Sequence, residues 1–187
     1  MNPDELEQIN LVARTSGNDV VLDALLLRLH TETACRRGGA LGLRLMDLDA
    51  DRGLVRLGKK GGTLRWQPIS VRLATCLAEH AAARGAVLPT YALLRFRHGT
   101  GLTSRRYDHL WKRLGKRLPW VAAQGISTHW LRHTTLTWVE RHFGYGIARA
   151  YQRTTPTRLT EPVPLGNWVT GSDVWFCAMQ VGLPEAG

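Results

Sequence analysis

The stretch Ser127-Thr128-His129-Trp130-Leu131-Arg132-His133 sets an imidazole and a guanidinium three residues apart at the start of an apolar helical pattern. On a helix His129, Arg132 and His133 share one face, because positions i, i+3 and i+4 are neighbours. Ser127 or Thr128 can cap that helix with a hydroxyl that accepts a first-turn N–H. Leu131, Val139 and Phe143 fall on another face, suited to packing inward. The pairing suits an anionic phosphate. A guanidinium forks two oxygens, and an imidazole moves a proton near neutral pH. A metal hydrolase built on His129, His133 and His142 is the competing chemistry. The i,i+4 spacing of His129 and His133 fits a metal, but Trp130 stands where a His-Glu-x-x-His motif needs its glutamate.

Three more stretches carry charge that could act on the same ligand. Thr33-Ala34-Cys35-Arg36-Arg37-Gly38-Gly39 puts two arginines directly after an apolar helix. A guanidinium so close to core sequence needs a partner, and Asp47 or Asp49 would be the structural ones. Gly58-Lys59-Lys60-Gly61-Gly62 reads as a hairpin tip whose lysines can reach a ligand or stay solvated. Residues 95–117 hold eight bases and one acid, Asp108, interleaved with Tyr107 and Trp111. Such a block reads as a helix tracking phosphates, with Arg105, Arg106, Lys112 and Arg113 as contacts.

The elements that must position these groups follow from local pattern. Asn2-Pro3-Asp4-Glu5 opens a first helix, with a cap, a proline at the first position and acids in the first turn. Asn18 caps a second helix through Val21, Leu22, Leu25, Leu26 and Leu29, apolar around most of its circumference and therefore buried. His30, near its end, reads as structural. Residues 53–57 and 63–69 alternate as two strands around the lysine tip, with Arg65 in the second. Ser70 caps a third helix over residues 71–84. Thr103 or Ser104 starts the basic helix, where Leu110, Trp111 and Leu114 pack. The His129 helix runs to about Phe143, and residues 147–151 form a short last helix. Residues 152–187 hold four of the eight prolines, lack periodicity and read as a divergent, poorly ordered tail.

At 187 residues the chain has room for one domain with a real core. Its net charge of +10 is uneven. Residues 1–51 sum to −4 and residues 52–187 to +14, which points to a polyanionic partner, most often nucleic acid. Arginines outnumber lysines 21 to four, a bias that favours phosphate forking but also follows from a GC-rich genome. Cys35, Cys76 and Cys177 have no disulfide or metal spacing, which favours a reducing cytoplasm. No signal peptide and no bilayer-length apolar run is expected.

Taken together, these stretches resemble the catalytic domain of the tyrosine recombinase (phage integrase) family over about residues 3–151. Thr33-Ala34-Cys35-Arg36-Arg37-Gly38 is similar to the family's first box. Residues 58–69 are similar to its β-hairpin, and His129-Trp130-Leu131-Arg132-His133 to its second box. The resemblance implies a mainly α fold with a small β-hairpin or sheet. It implies catalytic roles for Arg36, Lys60 (Lys59 the alternative), His129 and Arg132, with Arg37, Lys59 and Arg65 adding contacts to DNA. In that chemistry a tyrosine oxygen attacks a phosphodiester, giving a 3′-phosphotyrosine and a 5′-hydroxyl. The two arginines hold the non-bridging oxygens, His129 acts on the tyrosine proton, and Lys60 protonates the leaving oxygen. No metal or nucleotide cofactor is implied. The expected partners are double-stranded DNA and other recombinase subunits, in a bacterial or phage cytoplasm.

Two departures stand out. Gly39 occupies the place of the acid that usually follows the first arginine. The family's nucleophile is expected about thirty residues beyond the second-box arginine, after a Gly-His segment. Tyr145 and Tyr151 come too early, and Cys177 stands nine residues after Trp168 where the tyrosine would be. The pattern stops just after Tyr151, as a frameshift or altered terminus would stop it. The expectation is therefore a recombinase-like domain over residues 1–151 that cannot cleave alone; the alternative is a non-catalytic DNA-binding remnant.

Overall fold

A computed structural model describes residues 1–58 and 64–152. Lys59, Lys60 and the tail over residues 153–187 lie outside the described residues. Eight helices surround a small antiparallel sheet among the described residues. Helix α1 (Pro3–Thr15) begins with a capping box: Asn2 accepts the Glu5 N–H, and the Glu5 carboxylate accepts the Asn2 N–H. Helix α2 (Val20–Thr33) is the core element. Leu22, Leu25, Leu26, Leu27 and Leu29 are all buried, and α2 packs against α1, α4 (Val71–Ala83) and α7 (Thr128–Phe143). Its N-cap is Asp19, whose Oδ1 accepts the Leu22 N–H at 3.4 Å, and not Asn18. The Asn18 amide oxygen is taken by Arg106 at 3.0 Å.

After α2 come the short helix α3 (Arg37–Leu41), a 3₁₀ turn (Leu45–Asp47) and strands β1 (Leu48–Asp49), β2 (Leu54–Gly58) and β3 (Leu64–Pro68). The strands pair in the order β1-β2-β3, with Arg56 opposite Trp66. The alternation in β3 is inverted relative to its hydropathy. Gln67 is buried and Arg65 half-buried, whereas Leu64 and Trp66 are 58% and 46% exposed. Polar atoms win the inner face because backbone carbonyls behind β3 need donors, as described below. Ser70 caps α4, accepting the Leu73 N–H at 3.2 Å. Helix α5 (Ser104–Arg117) carries the basic block, α6 (Pro119–Ala123) turns the chain back, and α8 (Tyr145–Gln152) packs on α7.

An ion cluster fastens α5 to the first half of α2. The Asp23 carboxylate is fully buried and takes Arg106 Nε at 2.9 Å and the Arg113 guanidinium on its other oxygen. Asp19 takes Arg84 in a two-pronged pair at 2.6 and 2.8 Å. Burial works against the Asp19 carboxylate, but the bonds and charge of Arg84 outweigh it and hold its pKa below the usual range. Tyr107, read from sequence as an aromatic among phosphate contacts, is 1% exposed and belongs to the core.

Removing Asp23 would leave two guanidinium groups without a counter-charge at a closed interface. We expect Asp23→Ala to cost about 3–5 kcal/mol of unfolding free energy in urea. A cost below about 1 kcal/mol would show that the cluster does not hold α5 to α2.

Candidate active site

The site is assembled on the last turn of α2. A helix leaves its final carbonyls without intrahelical partners, and a buried end must find donors elsewhere. Here five consecutive carbonyls each meet a side chain. The Thr31 oxygen accepts from Thr135 Oγ1 at 2.9 Å, and the Glu32 oxygen from the Tyr151 hydroxyl. Gln67 Nε2 donates to the Thr33 oxygen at 2.9 Å, and the Arg132 guanidinium donates to the Ala34 oxygen. His30 Nδ1 lies 3.1 Å from the Cys35 oxygen. The donors come from α7, α8, β3 and α2 itself. Ala34 closes the helix in the left-handed region at φ 50°, a conformation of order 1 kcal/mol above the usual one for a residue with a Cβ.

Arg36 follows two residues later, with extended backbone, as the residue before α3. Arg36, Arg37, Trp111, His129 and Arg132 line one open cleft of about 460 Å³. The structure thus brings Arg36, from the turn after α2, together with His129 and Arg132 from α7. Burial lowers the Arg132 pKa, and the neighbouring Arg36 charge lowers it further. Neither guanidinium is paired with a carboxylate among the described residues. Two unneutralised cations facing one cavity are what an anion would stabilise. The acids proposed from sequence as partners are engaged elsewhere: Asp47 with Arg56 at 2.7 Å, and Asp49 with Arg52 at 3.9 Å.

His129 is exposed, and its Nε2 lies 2.8 Å from His133 Nε2. One ring must donate and the other accept, so the pair shares a single proton along that line. His142 does not join them, since its Nδ1 faces the Trp138 carbonyl at 2.8 Å. No three His, Cys, Asp or Glu side chains among the described residues could hold a metal ion together. Ser127 is the N-cap residue of α7 but makes no side-chain cap. The Thr128 hydroxyl accepts from Trp111 Nε1 at 2.8 Å instead, which ties the start of α7 to α5.

The contacts proposed for DNA divide into two groups. Arg105 and Lys112 are exposed and border a second cleft of about 750 Å³ along α5, with His109 and Lys116. Arg37 lines the first cleft and pairs with Asp108 at 2.8 Å, its side chain 45% exposed. Arg106 and Arg113 are corrections: both edge the α5 cleft, but their charge is committed to buried Asp23. Arg65 is a correction as well. Its guanidinium turns back to Gln67 and to the Tyr151 carbonyl at 3.0 Å, and lies 5.9 Å from the Tyr151 ring. Lys59 and Lys60 fall outside the described residues. The Tyr151 phenol is pushed up to about 12 by burial, with its hydroxyl engaged on α2. Sequence reasoning missed Gln67, Thr135 and Trp111 as supports of the site. The signal for Gln67 was a polar residue alternating with apolar ones in β3.

The phage integrase family model matches residues 1–144. The chain belongs to the phage integrase family. Tyrosine recombinase XerC of Roseiflexus castenholzii is 28% identical over 134 residues, which cover 68% of this chain and 42% of that relative. The crystal structure of XerA recombinase superposes with a TM-score of 0.61 at 19% identity, covering 82% of this chain and 54% of that one. The Tn1549 transposon integrase, solved with transposon right end DNA, gives 0.61 at 16% identity over 83% and 57%. A lambda integrase dimer bound to a core site gives 0.57 at 16% identity over 83% and 58%. The chain therefore spans roughly half the length of these relatives, and the shared fold is mainly helical with a small antiparallel sheet.

In this integrase-family site the carbonyl supports can be tested one at a time. Gln67→Leu leaves the Thr33 carbonyl buried without its donor. We expect a loss of about 1–3 kcal/mol in urea unfolding at unchanged m-value. A neutral substitution would mean that water or another side chain satisfies the carbonyl.

Proposed function

We propose that this chain is the phosphate-gripping catalytic domain of a site-specific DNA recombinase and engages double-stranded DNA without cleaving it alone. The observation that carries this reading is the Arg36–Arg132 pair, two guanidinium groups without carboxylate partners facing one cleft. In the reaction, a tyrosine oxygen forms a bond to phosphorus while the bond to the 5′-oxygen breaks. Negative charge grows on the non-bridging oxygens, where Arg36 and Arg132 would sit. His129 would act on the attacking hydroxyl's proton, and Lys60 would supply the proton that the leaving 5′-oxygen takes. Arg105, Lys112 and Lys116 on α5 would follow the flanking backbone, since exposed cations along one groove match a run of phosphates. XerH, another structural neighbour, was solved bound to its difH substrate, and the lambda integrase as a dimer on DNA. Duplex DNA and further recombinase subunits are the partners proposed here.

Two described tyrosines lie beyond Arg132: Tyr145, exposed at the start of α8, and Tyr151. The Tyr151 hydroxyl is spent on the Glu32 carbonyl, and its raised pKa disfavours the phenolate. That observation favours a domain that binds a phosphate and waits for a tyrosine donated by another subunit, or a remnant that only binds. No described helix is long and apolar enough to cross a membrane. A DNA-bound existence in a bacterial or phage cytoplasm completes the proposal.

Two assays test it. Affinity for duplex DNA should fall about tenfold or more between about 50 and 200 mM salt, and Arg105→Glu with Lys112→Glu should weaken it regardless of sequence. Incubation with a nicked suicide duplex should give no denaturation-resistant protein–DNA band. A salt-insensitive affinity would refute the phosphate reading. A covalent band abolished by Tyr151→Phe or Tyr145→Phe would show that the nucleophile is present.

A further inference from the structure

Beneath the cleft runs a buried chain of three polar groups that the chemistry above does not use. His30 is 1% exposed, on the last turn of α2. Its Nδ1 faces the Cys35 carbonyl at 3.1 Å, and its Nε2 faces the Tyr107 hydroxyl at 2.9 Å. A carbonyl only accepts, so Nδ1 must carry the ring's proton. Nε2 is then a lone pair, and the Tyr107 O–H donates to it. Cys35 Sγ also lies 3.4 Å from Nδ1, but the nearer carbonyl oxygen cannot donate, so the Nδ1–H tautomer is the one that satisfies the ring. The rings meet edge to face, with centroids 5.4 Å apart. Burial lowers the His30 pKa to about 4 and raises that of the Tyr107 phenol, so both are neutral at physiological pH. The charged groups bearing on the chain are Arg37, towards Tyr107, and Arg132, towards Cys35.

The Cys35 carbonyl belongs to the peptide unit that joins Cys35 to Arg36. Holding that oxygen fixes the plane of the peptide and so the direction in which the Arg36 side chain leaves the backbone. On the other side, the Arg36 carbonyl accepts the Ala40 N–H at 3.1 Å. Arg36 is therefore clamped before and after its Cα. Ala34, two residues before Arg36, sits in the left-handed region that a side chain disfavours, so this turn needs external support to keep its shape. Cys35 itself offers no reactivity, since burial pushes its thiol up to about 11.

We propose that His30 is a positioning residue: through the Tyr107–His30–Cys35 chain it aims the Arg36 guanidinium into the cleft. This rests on the reading that Arg36 holds a phosphate. The chain also links the buried face of α5 to the site, because Tyr107 sits one turn before Trp111, which holds the start of α7.

The test is the salt dependence of duplex DNA binding by the whole chain, read as the slope of log affinity against log salt. Arg36→Ala should lower that slope by about one, the loss of one phosphate contact. His30→Leu should lower it by a similar amount, and the double variant no further than Arg36→Ala. His30→Gln keeps a donor and an acceptor and should recover most of the slope. Should His30→Leu fail to fold, Tyr107→Phe removes a single hydroxyl and should lower the slope in the same way. Nitrogen NMR of the imidazole should show the Nδ1–H tautomer unchanged between about pH 8 and 5. A slope loss from His30→Leu that adds to that of Arg36→Ala would assign His30 a merely structural role and overturn the proposal, as would an Nε2–H tautomer. An unchanged slope for Arg36→Ala would overturn the phosphate reading itself, and the role of His30 with it.

Discussion

The end of α2 is the constraint on which the rest of the molecule depends. Five successive carbonyls leave the helix inside the protein, where each would cost about 1–3 kcal/mol if no donor reached it. The sheet sends Gln67, α7 sends Thr135 and Arg132, α8 sends Tyr151, and α2 supplies His30. Elements distant in sequence are thus pinned to one turn, and Arg36 is the next residue out. The position of one cationic group relative to the other follows from this. Arg132 reaches the cleft with one nitrogen already anchored on the Ala34 carbonyl, two residues before Arg36. A guanidinium held this way loses little rotational freedom on meeting a ligand, which is the physical content of preorganisation.

Arginine serves two opposite purposes here. On the buried side of α5, Arg106 and Arg113 close on Asp23, and the fork geometry satisfies several acceptors at once. On its open side, Arg105 and Lys112 remain exposed along a groove. The helix is at once the fastening of the fold and the most cationic surface. Fastening draws on two acids of the first part of the chain, Asp19 and Asp23, both buried against arginines. Asp4, Glu7 and Asp51, from the same net-negative stretch, stay exposed.

How much of this was legible in the sequence depended on distance along the chain. The histidine and arginine of α7 share a face by helical spacing alone, so their convergence was readable. Arg36 was readable as a charge pressed against core sequence. Its acids were not, because Asp47 and Asp49 found nearer partners in Arg56 and Arg52. The alternation of residues 63–69 was readable as a strand, but not which face turns inward: the structure buries Gln67 and half-buries Arg65 while Leu64 and Trp66 stay exposed. No local pattern reveals that carbonyls from another helix await a donor. For the same reason Arg106 and Tyr107 looked like ligand contacts: only the fold shows Asp23 and His30 opposite them. Asn18 and Asp19 are both able caps, and the choice fell to Asp19 because Arg106 takes Asn18. The lysines at the hairpin tip and the tail over residues 153–187 lie outside the described residues.

The central claim is that Arg36 and Arg132 grip the same phosphate. A crystal structure of the whole chain with a short DNA duplex tests it most directly. We expect one backbone phosphate in the cleft, with its non-bridging oxygens about 2.7–2.9 Å from both guanidinium groups and His129 beside it. Phosphates resting only on Arg105, Lys112 and Lys116, with Arg36 and Arg132 facing solvent, would contradict it.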